Sequence, residues 1–176
     1  MTNLEISKLL RNIAASYSVK NEAKYRFQTI AYLKAADAIE SATSEVTNLA
    51  EEGKLDDIPG VGPSIQKSLE ELVATGKVKH FEEIMDGVSQ ALFPLLDIPS
   101  FGPKKAYKLV THFKLHKPET VISDVEQLAK SGKIASLESF GEKSQADILQ
   151  AISEYRAGVT KNNRMVLPFA SELADK

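Results

Sequence analysis

Three short segments of this 176-residue chain share one arrangement of apolar residues and glycine. Residues 57–63 read DIPGVGP, residues 97–103 read DIPSFGP and residues 136–142 read SLESFGE. In each segment two apolar residues stand three positions apart, and a glycine follows the second of them. These glycines are Gly62, Gly102 and Gly141, separated by 40 and 39 residues. The chain therefore contains a motif that recurs with a nearly constant period.

Such a segment has the chemistry of a phosphate-binding turn when a helix follows it. The glycine that ends the turn is expected to adopt backbone angles closed to other residues and to let another backbone approach closely. The next helix begins with unsatisfied amide groups and the positive end of its dipole, which attract a phosphate oxygen. The apolar residue before the glycine, Val61 or Phe101, would pack back and fix the angle between two helices. Carbonyls of the same turn would suit a monovalent cation.

The elements around these turns are predicted to be helices. Apolar residues recur at intervals of three and four, which is the helical period. These stripes contain Ile6, Leu9, Leu10, Ile13, Ala14 and Tyr17; Tyr32, Ala35, Ala36 and Ile39; Val46, Leu49 and Ala50; Ile65, Leu69, Leu72 and Val73; Ala106, Leu109, Val110 and Phe113; and Ile148, Leu149, Ile152 and Tyr155. No segment alternates as a strand would, so we expect an all-α fold with short loops.

Helix ends are predicted from glycine, proline and capping residues. Gly53 is expected to end the third helix, while Pro63 and Gly76 mark the start and the exit of the next. Ser123 and Glu126 have the spacing of a capping box, and Gly132 is expected to close that helix.

Composition indicates a soluble globular protein. The apolar fraction is 43% and the charged fraction is 26%. Cysteine is absent, which excludes a disulfide framework, a thiolate metal site and a cysteine nucleophile. The first residues lack the pattern of a secretory signal, and the longest uncharged stretch, residues 87–96, is too short to span a membrane. We expect a cytoplasmic monomer with no membrane contact.

Charge is distributed unevenly along a chain whose net charge is −2. Residues 40–58 carry six acids and one lysine, whereas residues 95–117 carry five lysines and one aspartate. A local basic segment in an acidic chain is the pattern expected of a contact with phosphate, although a solvated helix face would give it as well.

The three repeated segments resemble helix-hairpin-helix motifs, and their order resembles the N-terminal region of family X DNA polymerases of the bacterial type. The likeness begins with AYLKAA at residues 31–36, continues through IPGVG at residues 58–62 and includes ATGK at residues 74–77. It implies a helical bundle of tandem helix-hairpin-helix units, similar to SAM-like folds and to the N-terminal domain of polymerase beta. The expected parts are an eight-kilodalton-like domain over residues 1–86, a second helical subdomain with two hairpins over residues 87–158, and a tail over residues 159–176 that leads towards a palm.

The same resemblance implies which residues meet DNA. Amides of Gly60 and Gly62 would face a 5′ phosphate in gapped or nicked DNA, and those of Ser100, Gly102, Lys104 and Lys105 would face a phosphate elsewhere. Ser64 and Lys108 complete the expected contact set. No cofactor is required, but the carbonyls of Ile58, Val61, Ile98 and Phe101 would suit sodium or potassium. Ser100 stands where the motif usually has glycine, which is expected to stiffen that turn slightly. The third hairpin carries Glu142 where a phosphate would approach, so we expect it to be structural.

Catalysis is not expected of this chain by itself. The Gly-Ser and Asp-x-Asp residues of a polymerase palm are absent from the sequence. The resemblance also implies a deoxyribose-phosphate lyase, an enzyme of base excision repair, whose Schiff-base lysine would fall at Ser68. Lys67 is adjacent but lies about 100° away on a helix. Two alternatives to a DNA-binding, repair-related module therefore remain: the lyase, and a protein-interaction module that would use the acidic stretch.

Overall fold

The computed structural model describes residues 1–158, and this part of the chain is built from helices with no strand. Nine α-helices follow one another in these residues: α1 (Asn3–Asn21), α2 (Arg26–Ser41), α3 (Val46–Glu51), α4 (Pro63–Thr75), α5 (Lys79–Met85), α6 (Leu92–Leu96), α7 (Pro103–His112), α8 (Val121–Lys130) and α9 (Glu142–Ala157). A 3₁₀ turn at Leu55–Asp57 precedes the first hairpin. The predicted all-α fold is confirmed. The predicted tail, residues 159–176, lies outside the described residues.

The chain divides into two compact units, the first ending at Val88 and the second beginning at Ser89. In the first unit, α1 and α2 pack along each other, and α5 contacts α1. The predicted stripes supply the core of this unit, where Ile6, Leu10, Ala35, Ile39 and Leu69 are fully buried. In the second unit, α6 contacts both α7 and α8, and α8 packs on α9.

Most helix ends lie where local chemistry places them. Thr2 caps α1 in a capping box: its hydroxyl accepts from the Glu5 amide at 3.2 Å, and the Glu5 carboxylate accepts from the Thr2 amide at 2.7 Å. α4 begins at Pro63 and ends at Gly76, whose φ of 75° is left-handed. None of the helices in residues 1–158 is long and apolar enough to cross a membrane.

The predicted capping box at Ser123 and Glu126 is wrong. α8 begins two residues earlier, at Val121, so Ser123 lies inside its first turn. Its hydroxyl instead accepts a hydrogen bond from Arg156 of α9 at 3.0 Å. Glu126 pairs with Arg156 at 2.7 Å and with Lys130 at 2.8 Å. The serine and the glutamate therefore brace α8 against α9, a tertiary role that spacing alone does not distinguish from capping.

Candidate phosphate-binding hairpins

The three repeated segments form turns with the same backbone geometry. Each is closed by a hydrogen bond from the second apolar residue to the first: Val61 N to Ile58 O at 3.1 Å, Phe101 N to Ile98 O at 3.1 Å, and Phe140 N to Leu137 O at 3.0 Å. The residue before the second apolar position is left-handed every time, with φ of 83° at Gly60, 69° at Ser100 and 72° at Ser139. A positive φ at the third position is the requirement of a type II turn, and proline at the second position, as in the first two segments, is common there.

The glycine that ends each turn does not have the unusual backbone angles that we expected of it. Gly62 has φ −84° and ψ 173°, and Gly102 has φ −79° and ψ 162°, which are ordinary extended values. The left-handed residue lies two positions earlier, so the strain in the second hairpin falls on Ser100. A serine there does more than stiffen the turn slightly, because left-handed angles disfavour any residue with a Cβ.

The two glycines of the first hairpin differ in what surrounds them. A Cβ on Gly60 would lie 3.3 Å from the Cβ of Lys34 and 3.5 Å from the Ala35 amide nitrogen, so the turn rests directly on α2. A Cβ on Gly62 would meet nothing within 4 Å, and the same holds for Gly102 and Gly141. No neighbour within the described protein therefore requires glycine at these last positions, and the space in front of them is open to an external group.

Helix starts place backbone amide donors beside that open space. The first helical hydrogen bond of α4 runs from Gln66 N to Gly62 O at 2.9 Å, and that of α7 runs from Ala106 N to Gly102 O at 3.1 Å. Amides ahead of these, at residues 64 and 65 and at residues 104 and 105, have no acceptor within their helix. They add to the positive end of the helix dipole, a combination that favours an anion at the start of each helix.

The apolar residues of the turns anchor the first two hairpins in their cores. Ile58, Val61, Ile98 and Phe101 are all buried. Phe140 of the third hairpin is only half-buried. The carbonyls of Ile58 and Ile98 each accept one turn hydrogen bond, which leaves each oxygen a second lone pair for a cation.

The lysines of the second hairpin do not all face solvent alike. Lys104 is exposed at the second position of α7. Lys105, one of the expected DNA contacts, is half-buried; its ammonium donates to the Ser100 carbonyl at 3.4 Å and lies 5.8 Å from the centre of the Phe101 ring. Lys108 donates to the hydroxyl of Ser139 at 3.1 Å. In the first hairpin, Ser64 and Lys67 are both exposed.

The position expected for a lyase nucleophile lies in the core of the first unit. The side chain of Ser68 is 6% exposed, and its hydroxyl donates to the Ser64 carbonyl at 3.2 Å. It lies beside the Tyr32 hydroxyl, which makes no well-formed hydrogen bond of its own. Burial raises the pKa of Tyr32, and the neighbouring Ser68 hydroxyl opposes that rise. Lys67, one residue away, points to solvent.

An exposed aromatic residue near the first hairpin was not among the predicted functional residues. Phe27, on α2, is 83% exposed although it is a large apolar side chain. It lies seven residues before Lys34, so both are on the same side of α2, about 10 Å apart along the helix axis. Lys34 contacts the first hairpin at Gly60. The available signal was that Phe27 falls outside the stripe of Tyr32, Ala35, Ala36 and Ile39.

Comparison with known proteins supports the interpretation of the motif. Residues 1–78 match the family described as helix-hairpin-helix domain. The chain is 31% identical over 154 residues to the DNA polymerase/3′-5′ exonuclease PolX of Bacillus subtilis (strain 168). That alignment covers 88% of this chain and 25% of the relative, so the chain spans about a quarter of the relative's length. The all-α chain thus carries a helix-hairpin-helix domain, and its resemblance to the N-terminal region of a bacterial family X DNA polymerase is confirmed.

Proposed function

We propose that this chain is a DNA-binding module of the family X polymerase type, which holds backbone phosphates of gapped or nicked DNA in repair and does not polymerise DNA by itself. The observation that carries the proposal is the open space in front of Gly62 and Gly102. In both places the first amides of a helix, which have no acceptor within that helix, border that space. Contacts of this kind are made to the sugar-phosphate backbone, so sequence preference is expected to be small.

The two hairpins would bind different kinds of phosphate. The first is approached through Asp56 and Asp57, whose charges repel a continuous duplex. We assign it to a 5′ phosphate at a gap, where the DNA end enters the turn at Gly60 and Gly62. The second leads directly into Lys104, which is exposed at the start of α7, and suits a phosphate within the duplex. Sodium or potassium at the carbonyls of residues 58, 61, 98 and 101 would help to hold each turn.

Phe27 gives the first hairpin a means of holding an unpaired base. An exposed aromatic ring stacks on any base, which suits binding without sequence preference. Since Phe27 and Lys34 share one side of α2, a strand whose 5′ phosphate sits at Gly60 and Gly62 would pass close to the ring. This arrangement favours gapped DNA, which exposes unpaired template bases, over intact duplex.

Fluorescence anisotropy with three matched DNAs tests the proposal. The DNAs are a duplex with a one-nucleotide gap and a 5′ phosphate, the same gap with a 5′ hydroxyl, and the intact duplex. We expect the phosphorylated gap to bind most tightly and the intact duplex most weakly. Absence of binding to all three at low salt would refute the proposal and would favour the protein-interaction alternative, with residues 40–57 as its surface.

A lyase finds little support in the first unit. Its nucleophile would have to be an amine near a deoxyribose aldehyde, but the expected position holds the buried Ser68. Borohydride trapping on a 5′ deoxyribose-phosphate end should give little covalent adduct. An efficient adduct that is lost in Lys67→Ala would establish the lyase instead.

A further inference from the structure

Both left-handed serines of the second unit's hairpin turns are held by lysines of the same helix. Lys105 of α7 donates to the carbonyl of Ser100, and Lys108, one turn further along α7, donates to the hydroxyl of Ser139. Ser100 and Ser139 occupy equivalent turn positions, with φ of 69° and 72°. In the first hairpin the equivalent residue is Gly60, and glycine adopts this conformation without strain.

We propose that Lys105 and Lys108 are positioning residues, which stabilise the left-handed serines of the second and third hairpins, rather than residues that grip phosphate themselves. Lys105 is suited to this role because its half-buried stem lies over the Phe101 ring and its ammonium reaches the Ser100 carbonyl of its own turn. Lys108 reaches across to the third hairpin, which thereby becomes fixed beside α7. The effect of these lysines on DNA binding rests on the proposed function, whereas their effect on the turns does not.

Sequence position supports the division between these lysines and Lys104. Aligned on the proline that begins each helix, Lys105 stands where α4 has Ile65, a buried core residue, whereas Lys104 stands where α4 has the exposed Ser64. The side chain of Lys105 therefore points inward, towards its own hairpin. At that position its ammonium reaches the Ser100 carbonyl of the same turn.

Amide hydrogen exchange in the full chain tests the positioning role without DNA. The Phe101 and Phe140 amides close the two turns, and the Val61 amide closes the first turn as an internal control. Lys105→Met should accelerate exchange at Phe101 by roughly three- to tenfold, the order expected for one lost hydrogen bond, and leave Phe140 and Val61 unchanged. Lys108→Met should accelerate Phe140 alone. Unchanged exchange in both variants would overturn the proposal.

Replacement of the strained serine provides the matched control. Ser100→Gly in the Lys105→Met background should restore slow exchange at Phe101, because glycine needs no tether to stay left-handed. If DNA binds, Lys105→Met should weaken it several-fold without changing its salt dependence, and Ser100→Gly should restore it. A salt slope reduced by about 1, with no rescue by Ser100→Gly, would show that Lys105 contacts phosphate directly. Failure of the wild-type chain to bind DNA would instead remove the proposed function and leave the exchange test standing.

Discussion

The two glycines of the first hairpin have separate tasks, and substitution should separate them. Gly60→Ala forces a side chain into φ 83° and against Lys34, so it should lower the free energy of unfolding by about 1–2 kcal/mol. Gly62→Ala places a methyl group on extended backbone with nothing within 4 Å, so it should change stability by less than about 0.5 kcal/mol. Urea unfolding followed by circular dichroism measures both.

DNA binding tests the role assigned to the open space in front of Gly62. The methyl group of Gly62→Ala occupies the space assigned to a 5′ phosphate, so affinity for the phosphorylated gap should fall while affinity for intact duplex stays the same. A Gly62→Ala variant that binds the phosphorylated gap like wild type would contradict the assignment of that space. Gly141→Ala, which also meets nothing within 4 Å, serves as the control in the third hairpin.

Tyr17 should make the first unit sensitive to alkaline pH. Burial, aided by the neighbouring Tyr32 and Tyr25, raises its pKa to about 12, and its hydroxyl lies 2.7 Å from Nε2 of His80. An unfolded tyrosine ionises near pH 10, so the folded state keeps a proton that the unfolded chain loses. The stabilisation is complete below about pH 10 and disappears as pH rises towards 12.

The measurement is urea unfolding of Tyr17→Phe at neutral and alkaline pH. We expect the variant to be less stable at pH 7 by about 1 kcal/mol, because the contact with His80 is lost. Between pH 10 and pH 12 its stability should fall less steeply than that of wild type. Tyr107→Phe, on the exposed surface of α7, is the matched control. Parallel pH profiles for Tyr17→Phe and wild type would show that Tyr17 is not the group responsible.

At the scale of elements, α4 and α7 begin alike but differ in charge. Both start with proline after an extended glycine, so backbone geometry does not rank them. α4 carries Glu70 and Glu71 beside Lys67, whereas α7 presents Lys104 with no acid in its first turn. We therefore expect Lys104→Glu to weaken binding to intact duplex by at least about fivefold at low salt, and Lys67→Glu to weaken it less.

The comparison uses Lys104 alone, without its neighbour Lys105. Lys105 is half-buried and tied to Ser100, so a change there would disturb the turn as well as the charge. Lys67 and Lys104 are both exposed, and helicity by circular dichroism should be unchanged in either variant. A larger loss on intact duplex from Lys67→Glu would mean that the first hairpin is the main duplex contact.

The exposed side of α2 should contribute only when DNA contains unpaired bases. Phe27→Ala removes a ring that is 83% exposed, so stability should change little. Stacking of one base contributes about 1–3 kcal/mol by alanine substitution, so affinity for gapped DNA should fall by roughly fivefold or more. Leu33→Ala is the control, since Leu33 is 41% exposed and lies off the side shared by Phe27 and Lys34. Equal losses from the two variants would argue against stacking.

Helical periodicity and turn residues predicted most of the elements, but not those whose limits depend on tertiary contacts. The stripes of α1, α2 and α4 are buried as expected, since a core must cover them, apart from the half-buried Leu9 and Val73. α5 and α6 were not predicted, because seven and five residues show too little periodicity and Pro94 stands within α6. The motif located the hairpins. The spacing does not encode three-dimensional packing. It therefore could not predict which residue of the turn is left-handed or that Lys105 turns inward.

For the molecule as a whole, net charge and local chemistry oppose each other. The chain has a net charge of −2 and a sequence pI near 6.0, so its overall field repels DNA. Binding therefore has to come from a few local contacts at the hairpins. We expect micromolar or weaker affinity, because these few contacts must overcome an unfavourable overall field.

The salt dependence of that weak binding measures how many phosphates the chain neutralises. With about two to five contacts, log affinity should fall against log salt with a slope of roughly −2 to −4. The slope should be measured by anisotropy on the phosphorylated gap and on intact duplex, with potassium chloride as the varied salt. Because backbone amides rather than a lysine would hold the 5′ phosphate in front of Gly62, the gap should bind more tightly than intact duplex with a similar slope. Equal slopes with equal affinities would mean that the first hairpin does not engage the 5′ end, and a slope near zero would mean that phosphate contacts do not drive binding.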